Sequence, residues 1–379
     1  MKIGVLNSLY QPYHRGGAEI IASIMVSDLE KLGHEVFVIS TSPKKSYQDN
    51  NNYYLESKYY ELNKIPTPLR LFWHINNLFD YKQKNRVKRI IKNEKPDLII
   101  THNLMGLGLQ LPKLFKGLKI KHIHIIHDIQ LLHPSGLMFY QQEGLINSFF
   151  ARKYQLITRN LIGSPAAVIC PSEWLLGLHK EKGFFPQSIK KTIPNPVKTN
   201  YLSRDKDRNK TGFLSVGLVS KHKGSDTLIK AFNQLPELKL TIIGDGDYLE
   251  EAKNIANNNI TFLGRLDYTK VQEYLLEASA LIVPSLCYEN SPTNIYQAVG
   301  SKLPVIGSNL AGTAELINKY GGLLFEPGNA EDLIEKIRYF LNNYDELNKN
   351  FPKEPLPPDD YVKQILQMRF NTQKWLVII

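Results

Sequence analysis

Short apolar runs rich in Val, Ile and Leu alternate with amphipathic helical stretches along most of the 379-residue chain. The runs are continuous rather than alternating with polar residues, which indicates strands buried on both faces. Buried strands separated by helices form parallel sheets through βαβ units. The pattern begins at residues 3–7 and begins again at 213–217. We therefore predict an α/β protein with two Rossmann-like domains.

The same pattern places the individual elements. In the first half we predict strands at 3–7, 36–40, 98–101, 120–127 and 167–171 and a helix at 18–32. In the second half we predict strands at 213–217, 238–244, 260–264, 281–284 and 304–307 and helices at 226–234, 292–300 and 330–342.

Two irregular segments divide the chain. The polar stretch at 198–211 is typical of a linker, so we place the first domain at 1–200 and the second at 201–357. After a proline-rich break at 351–358, we expect residues 358–379 to return to the first domain, with a helix over 360–369.

Positive charge is concentrated in the first domain. Residues 1–200 contain 27 Lys and Arg against 14 Asp and Glu, a net charge of +13, whereas residues 201–379 contain 20 against 22, a net charge of −2. A basic half-molecule indicates a polyanionic partner. We find no nucleic-acid-binding module and predict no nucleic-acid partner. An anionic membrane surface is the partner that we predict.

Residues 69–89 and 149–153 mix large apolar side chains with Lys and Arg, as interfacial helices do. A helix that packs on the core and exposes a charged face fits the first of these segments equally well. No apolar run approaches the roughly 18 residues of a membrane-spanning helix, and the first apolar segment is too short for a signal peptide.

Cys170 and Cys287 are the only cysteines, and both lie beside apolar runs. This placement indicates buried thiols in a reducing compartment. We therefore expect a cytoplasmic protein, peripheral on the inner face of the membrane if the basic half binds lipid. No Cys/His cluster has zinc spacing, and we predict no metal ion and no cofactor.

Residues 285–307, SLCYENSPTNIYQAVGSKLPVIG, carry the clearest chemical signal. Ser291 suits an N-cap position and Pro292 a first helical position. The amides of Thr293 and Asn294 would then point into the preceding loop. A helix that starts at the carboxyl end of a parallel strand is an anion-binding site. Taken alone, the segment fits a capped surface helix equally well.

This segment resembles the signature of glycosyltransferase family 4. The family pattern is a glutamate, seven residues, Glu-Ala-Met-Ala, then Gly-x-Pro-Val-Ile and Gly-Gly-x-x-Glu. Here Glu289 is followed after seven residues by Gln297-Ala298-Val299-Gly300, then by KLPVI at 302–306 and AGTAE at 311–315. Further matches occur in the family's order: RGGAE at 15–19, GHEV at 33–36, HD at 127–128, PSE at 171–173, PNPV at 194–197, VG at 216–217, KG at 223–224 and GDG at 244–246.

The resemblance spans about residues 1–340 and implies a GT-B fold, in which the parallel sheets of two Rossmann-like domains face each other across a central cleft. It also implies retaining transfer of a sugar from a nucleotide diphosphate sugar to a glycan or lipid-linked acceptor, in cell-surface polysaccharide or glycolipid synthesis. Members usually need no divalent metal, so cations and helix amides stabilise the leaving diphosphate.

Two residues are implied to be catalytic. Glu289 matches the glutamate that holds the donor sugar and stabilises positive charge at the reacting carbon. His127 matches the histidine that reaches the donor sugar from the first domain. His122 and His124 are spaced to point away from His127, and we interpret them as packing or surface residues.

The other candidate residues would bind the donor. Lys223 matches the diphosphate-binding lysine, and Lys221 lies two residues away. The remaining candidates are two glycines at a helix start, the turns beside the nucleotide, and the start and interior of one helix: Gly16, Gly17, Gly217, Gly244, Asp245, Thr293, Asn294 and Gln297.

Two positions depart from the family pattern. Leu218 stands where the family has an arginine. Gln297 stands where the family has a glutamate that binds ribose, and the amide of Gln297 carries no charge. These departures favour one alternative, a nucleotide-sugar-binding relative with weakened catalysis. Another GT-B enzyme, such as an epimerase, is the second alternative.

Overall fold

The computed structural model describes residues 1–13, 16–196, 212–354 and 360–368. The predicted linker at 198–211 lies outside these residues, as does part of the predicted proline-rich break. The described residues form two compact units. The first comprises residues 1–13, 16–136, 146–196 and 360–368, and the second comprises 137–145 and 212–354.

The strands and helices are numbered along the chain. The strands are β1 (Lys2–Leu6), β2 (Glu35–Ser42), β3 (Tyr47–Asp49), β4 (Asn52–Glu56), β5 (Leu98–Thr101), β6 (Lys121–Ile125), β7 (Ala167–Cys170), β8 (Ile189–Thr192), β9 (Gly212–Val216), β10 (Lys239–Ile243), β11 (Ile260–Phe262), β12 (Ala280–Val283), β13 (Val305–Ser308) and β14 (Leu323–Phe325). The α-helices are α1 (Gly17–Lys31), α2 (Thr67–Leu78), α3 (Tyr81–Glu94), α4 (Leu111–Gly117), α5 (Phe149–Ile162), α6 (Glu173–Glu181), α7 (Ser225–Asn233), α8 (Leu249–Ile255), α9 (Tyr268–Glu277), α10 (Thr293–Gly300), α11 (Ala311–Tyr320), α12 (Ala330–Asn342), α13 (Tyr344–Lys349) and α14 (Tyr361–Leu366). Three 3-10 helices are η1 (Lys58–Lys64), η2 (Glu143–Asn147) and η3 (Lys221–Lys223).

The first unit is built on an eight-stranded sheet in the order β3-β4-β2-β1-β5-β6-β7-β8. All neighbours pair in parallel except β3 and β4, which are antiparallel. The central strands are buried, as their unbroken apolar runs predict. Helix α14 packs in this core, where its Tyr361, Val362 and Ile365 join side chains of β1 and β5.

The basic segment 69–89 forms parts of two helices rather than one. Helix α2 ends at Leu78 and α3 begins at Tyr81, because the side chain of Asp80 accepts a hydrogen bond from the amide of Gln83 and caps the new helix. No helix among the described residues is both long and apolar enough to cross a membrane.

The second unit is a six-stranded, fully parallel sheet in the order β11-β10-β9-β12-β13-β14. Adjacent residues of a strand enter opposite apolar layers: Phe213 packs with α7 and α12, whereas Leu214 packs with α9, α10 and α11. This alternation follows from the two-residue repeat of a strand. The predicted α/β fold with two parallel-sheet domains is therefore confirmed.

One segment lies in a unit that its place in the chain does not suggest. The predicted first domain, residues 1–200, included residues 137–145, but these pack in the second unit. Their backbone pairs with the loop after β12: Tyr140 N donates to Leu286 O (2.8 Å), and Tyr288 N donates to Met138 O (2.9 Å). These hydrogen bonds satisfy polar backbone groups of the segment and give it its place.

Candidate functional site

The carboxyl ends of β9 and β12 bring together two predicted site residues of the second unit. Lys223 lies in η3, which follows β9, and Glu289 lies in the loop after β12. They are 66 positions apart in sequence, and the Lys223 ammonium donates a hydrogen bond to the Glu289 carboxylate. Their side chains are 31% and 22% exposed, so a ligand can still reach the pair.

Gly224 allows the two loops to approach this closely. Its φ is +76°, and a Cβ atom there would lie 1.8 Å from the carbonyl oxygen of Pro284 at the end of β12. Any other residue would strain the backbone and push η3 away from β12. Glycine at this position therefore sets the separation between Lys223 and Glu289.

The loop that carries Glu289 is held at several points. Ser285 Oγ donates to the Glu289 carboxylate (3.2 Å) and lies 3.1 Å from the thiol of Cys287. The amide of Gly312, in the first turn of α11, donates to the backbone carbonyl of Glu289 (3.0 Å). These contacts hold both the carboxylate and the backbone of Glu289 in place at the carboxyl edge of the sheet.

The charges of this cluster are set by its neighbours. Burial lowers the pKa of Lys223, but the nearby Glu289 and Cys287 outweigh burial, so the net pKa is raised. Burial is the main cause that raises the pKa of the Cys287 thiol. At neutral pH the cluster therefore contains an ammonium group and a neutral thiol.

Helix α10 begins beside this pair. It starts at Thr293, one residue later than predicted, and Pro292 is its N-cap. Ser291 does not cap the helix; its hydroxyl instead lies 2.7 Å from the hydroxyl of Tyr296. The first amides of a helix have no carbonyl partner within the helix, so those of Thr293 and Asn294 are suited to an anion.

Asn294 also ties α10 to the central strand. Its side-chain amide donates to Val216 O at the end of β9 (2.9 Å), while its Oδ1 is buried without a partner in the described part of the chain. Gln297 lies in the middle of α10 and is half-buried. Leu218, in the position of the family's arginine, is 50% exposed.

The turns after β9 and β10 pack against each other. A Cβ atom on Gly244 would lie 1.7 Å from the carbonyl oxygen of Gly217, so this contact requires glycine. Asp245 accepts a hydrogen bond from the amide of Gly246 (2.7 Å), and Val219 N donates to the Asp245 carbonyl (3.0 Å). The predicted residues Gly217, Gly244 and Asp245 thus lie together, where the backbones of the two turns are in contact.

Lys221 is placed differently from Lys223. Its ammonium lies 3.0 Å from Glu251 and 4.9 Å from the centre of the Tyr248 ring, on the side of α8. Its carboxylate partner is well exposed. The structure therefore groups Lys223, but not Lys221, with Glu289.

In the first unit, His127 lies two residues beyond β6 and contacts a second histidine. His127 Nε2 is 2.7 Å from Nδ1 of His102, which follows β5 and is fully buried. Burial lowers the pKa of His127 to about 4 and is also the main cause that lowers the pKa of His102. Both imidazoles are therefore neutral at pH 7, and one donates its N–H to the other.

A polar network surrounds this pair at the carboxyl ends of β1, β5 and β6. Asp128 accepts hydrogen bonds from the amide of Gln130 (2.7 Å) and the side chain of Asn103 (3.1 Å). Asn7, at the end of β1, accepts from the amide of Asn103 (3.2 Å). Burial raises the pKa of Asp128 to about 7, although its hydrogen bonds oppose the change.

Sequence reasoning missed His102, Asn103 and Asn7. A detectable signal was present, because Asn7 is the last residue of a predicted strand and His102 and Asn103 directly follow another, and parallel strands end at one edge of the sheet. His122 and His124 are packing residues, as predicted, but not surface residues. Both are buried, and both contact the hydroxyl of Thr101, at 2.7 and 2.8 Å.

The predicted glycines at the start of α1 are exposed, but one of their amides is engaged. Gly16 N donates to the Glu19 carboxylate (2.8 Å), while Gly17 is the first residue of the helix. The adjacent Arg15 lies outside the described residues. Across the described ranges, we find no group of three or more His, Cys, Asp or Glu that could hold a metal ion.

Two family models match consecutive parts of the chain. Glycosyltransferase Family 4 matches residues 15–201, and Glycosyl transferases group 1 matches residues 202–354. The first model covers most of the sequence of the first unit. The second covers the part of the chain that contains Lys223 and Glu289.

Several curated proteins are similar over most of their length. An uncharacterized 42.6 kDa protein in the cps region of Klebsiella pneumoniae is 25% identical and covers 100% of this chain and 99% of that protein. The putative teichuronic acid biosynthesis glycosyltransferase TuaC of Bacillus subtilis is 23% identical (89% and 88% covered). The alpha-monoglucosyldiacylglycerol synthase of Streptococcus pneumoniae is 26% identical (77% and 69% covered).

Solved structures share the fold. The sucrose-phosphate synthase of Thermosynechococcus elongatus superposes with a TM-score of 0.71 at 18% identity, covering 92% of each chain. Anabaena HepE in complex with UDP-glucose superposes with a TM-score of 0.65 at 17% identity, covering 98% of this chain and 95% of HepE. These neighbours have the GT-B fold. With its family models matched over residues 15–354 and its two parallel-sheet units, the chain belongs to glycosyltransferase family 4 and has the GT-B fold.

Proposed function

We propose that this glycosyltransferase transfers a sugar, with retention of configuration, from a nucleotide diphosphate sugar bound by the second unit. The observation that carries the proposal is the contact between Lys223 and Glu289 beside the start of α10. A cation, free helix amides and a carboxylate meet at the carboxyl edge of a parallel sheet, where α/β proteins place ligands. The resemblance to family 4 and the HepE complex with UDP-glucose support a nucleotide sugar as the ligand.

The chemistry assigns a task to each group. In the transfer, the bond between the anomeric carbon and the diphosphate oxygen breaks, the oxygen of an acceptor hydroxyl forms a bond on the same face, and the hydroxyl proton passes to the leaving diphosphate. Negative charge then grows on the leaving diphosphate, where Lys223 and the amides of Thr293 and Asn294 stabilise it. Positive charge grows on the anomeric carbon, where the carboxylate of Glu289 stabilises it.

His127 takes part in the transfer as a neutral hydrogen-bonding group. Its lowered pKa keeps it uncharged at neutral pH, and its contact with the buried His102 fixes the orientation of its ring. The His127→Ala variant tests this role. We expect turnover to fall about 10²-fold or more, because one hydrogen-bonding group in a transition state contributes about 10²–10³-fold. We also expect a modest loss of stability, about 1–3 kcal/mol, because the buried His102 loses its partner. Near-normal turnover would contradict the assignment.

We propose that the acceptor is a glycan or a lipid-linked molecule and that the first unit meets an anionic membrane. The names of two relatives, a teichuronic acid glycosyltransferase and a diacylglycerol glycolipid synthase, support the acceptor class. The surface supports the membrane contact: Phe72 on α2 is 63% exposed and Phe149 on α5 is 78% exposed. Lys153 lies over the Phe149 ring, its Nζ 5.4 Å from the ring centre. Exposed aromatic groups beside basic ones favour anionic lipid surfaces.

Calorimetric titration with UDP and uridine tests the donor site. In Lys223→Ala, we expect UDP affinity to fall roughly 10- to 100-fold, because a hydrogen bond to a charged group contributes about 1.5–3 kcal/mol. Uridine affinity should change little, because only the phosphates lose a partner. Lys230→Ala is the matched control, since Lys230 pairs with Asp226 on α7 and its removal changes net charge equally.

Glu289→Gln separates binding from chemistry. The amide is almost the same size and still accepts a hydrogen bond from Ser285, but it no longer pairs with Lys223 as an ion. We therefore expect UDP affinity to stay the same or rise, while turnover of a donor sugar falls about 10²-fold or more. Equal UDP affinity in Lys223→Ala and the wild type, or full turnover in Glu289→Gln, would overturn the proposed site.

A second candidate function is a nucleotide-sugar-binding protein with weakened catalysis. The specific observation is Leu218, which places an exposed apolar side chain where the family has an arginine. If this candidate is correct, the wild type binds UDP in calorimetry but turns over a donor sugar far more slowly than the double variant Leu218→Arg, Gln297→Glu. Wild-type turnover equal to or above that of the double variant excludes this candidate.

A further inference from the structure

We propose that residues 137–145, here termed the strap, position the catalytic carboxylate of Glu289. The inference rests on the proposed function, because it assigns the strap a role in the same site. The strap separates β6 from α5 in sequence, yet it packs in the second unit against the loop at 286–288. That loop ends one residue before Glu289.

Backbone contacts join the strap to this loop. Phe139 and Cys287 form an isolated antiparallel bridge, and hydrogen bonds flank it on both sides: Tyr140 N to Leu286 O (2.8 Å) and Tyr288 N to Met138 O (2.9 Å). The loop is therefore paired like a short strand. Pairing fixes the backbone direction in which the chain enters Glu289.

A side-chain contact closes the strap over the same loop. The hydroxyl of Tyr288 donates to the carboxylate of Glu143 (2.6 Å), and Gln141 N also donates to this carboxylate (2.9 Å). Gln141 has a φ of +64°, a left-handed conformation that is unfavourable in a residue other than glycine. The strap adopts this turn although it is unfavourable, and the turn places the Glu143 carboxylate within reach of Tyr288.

The strap also touches the loop that carries Lys223. The Phe139 ring meets the ring of His222, with their centres 5.9 Å apart. The carbonyl of His222 accepts hydrogen bonds from the amides of Leu286 (3.0 Å) and Cys287 (3.1 Å). The strap thus contacts both the loop at 286–288, which leads into Glu289, and η3, which contains Lys223.

These contacts point to a positioning role rather than to core packing. Met138 is buried, but Leu137 and Leu145, at the two ends of the strap, are 47% and 53% exposed. The hydrogen bonds between the strap and the loop go to residues within three positions of Glu289. A small misplacement of a catalytic group lowers the rate strongly, about 10²-fold for a shift of about 1 Å. Weakening the strap should therefore lower kcat more than it weakens nucleotide binding, which depends on Lys223 and α10.

The test compares Tyr288→Phe, Glu143→Ala and the double variant. Tyr288→Phe removes only the hydroxyl, and Tyr339→Phe is the matched control, since Tyr339 on α12 is 53% exposed. We expect kcat to fall about tenfold in each strap variant, with the dissociation constant for UDP within about twofold of the wild-type value. The double variant should lose no more than the worse single variant, because both remove one contact.

Hydrogen exchange of a peptide covering residues 285–292 gives a second measurement that needs no activity. We expect faster exchange there in Tyr288→Phe, with unchanged exchange in Tyr339→Phe. Wild-type kcat together with unchanged exchange in the strap variants would overturn the inference while leaving the proposed function intact. A wild type that neither binds UDP nor turns over a donor would overturn the proposed function, and exchange alone would then decide whether the strap orders the loop.

Discussion

The substitution Gly224→Ala tests the idea that the close approach of two loops builds the donor site. A residue other than glycine at the φ of +76° costs about 1–2 kcal/mol of stability. The new Cβ would also lie 1.8 Å from the Pro284 carbonyl oxygen and 2.6 Å from its carbon, and both are backbone atoms. Relief of this overlap requires a shift of the loops and costs about 1–3 kcal/mol more. We expect a total loss of about 2–5 kcal/mol.

Gly264→Ala is the matched control for the backbone term. Gly264 has a φ of +67° in the same unit, but a Cβ atom there would meet nothing within 4 Å. Scanning calorimetry should therefore show that Gly224→Ala melts roughly 2–12 °C below Gly264→Ala, because the steric part of about 1–3 kcal/mol lowers the melting temperature by about 2–4 °C per kcal/mol. Gly224→Ala should also weaken UDP binding, because η3 carries Lys223 out of the position in which it binds the diphosphate. If the two variants melt at the same temperature, the steric argument is wrong.

Three further predictions concern other parts of the molecule. The first unit should lose stability as the pH falls from about 6.5 to 4, because burial lowers the pKa of five histidines and the unfolded chain therefore binds more protons than the folded chain in this range. The free energy of unfolding should change by up to about 1.4 kcal/mol per pH unit for each histidine. The five histidines are His102, His122, His124, His127 and His179. The raised pKa of Asp128, about 7, gives the folded state one proton in this range and offsets the effect of one histidine. His122→Gln should reduce the dependence of stability on pH. A melting temperature that does not change between pH 6.5 and 4 would contradict the prediction. Leu218→Arg should strengthen UDP binding severalfold in calorimetry if the added guanidinium reaches the diphosphate, since it supplies a second cation; unchanged affinity would show that it does not reach. Finally, Phe149→Ser should reduce sedimentation with anionic vesicles at low salt, whereas binding that is equal on neutral vesicles and independent of salt, or absent in the wild type, would remove the membrane proposal.

Most of the strands were predictable because burial leaves a direct trace in the sequence. The predicted strand at 98–101 and the predicted helix at 330–342 agree with β5 and α12 at both ends. Four strands of the described residues were missed, β3, β4, β8 and β14; they are three to five residues long, and each contains exposed or half-buried residues. The residues of β3 are all exposed and those of β8 are exposed or half-buried, so neither forms the continuous apolar run that identifies a buried strand.

The site was predictable only in its residues. The resemblance to family 4 identified Glu289 and Lys223 as site residues, but nothing in the sequence indicates that their side chains are in contact. Lys221, two residues from Lys223, carries the same charge and lies in the same loop, yet the structure turns it toward Glu251. Which lysine joins Glu289 depends on the direction in which η3 leaves the sheet, and the packing of Gly224 on Pro284 decides that direction.

The sequence by itself determined the two parallel sheets, their order along the chain and the family, because hydrophobic burial and motif spacing are properties of neighbouring residues. Only the tertiary structure decided that Glu289 pairs with Lys223 and that His127 contacts His102. It also decided that the strap packs in the second unit although its neighbours in sequence belong to the first. Each of these contacts joins residues at least 25 positions apart or joins segments through backbone groups that every residue carries. Backbone hydrogen bonds are identical for nearly all side chains, so the sequence holds no pattern from which such a pairing can be predicted.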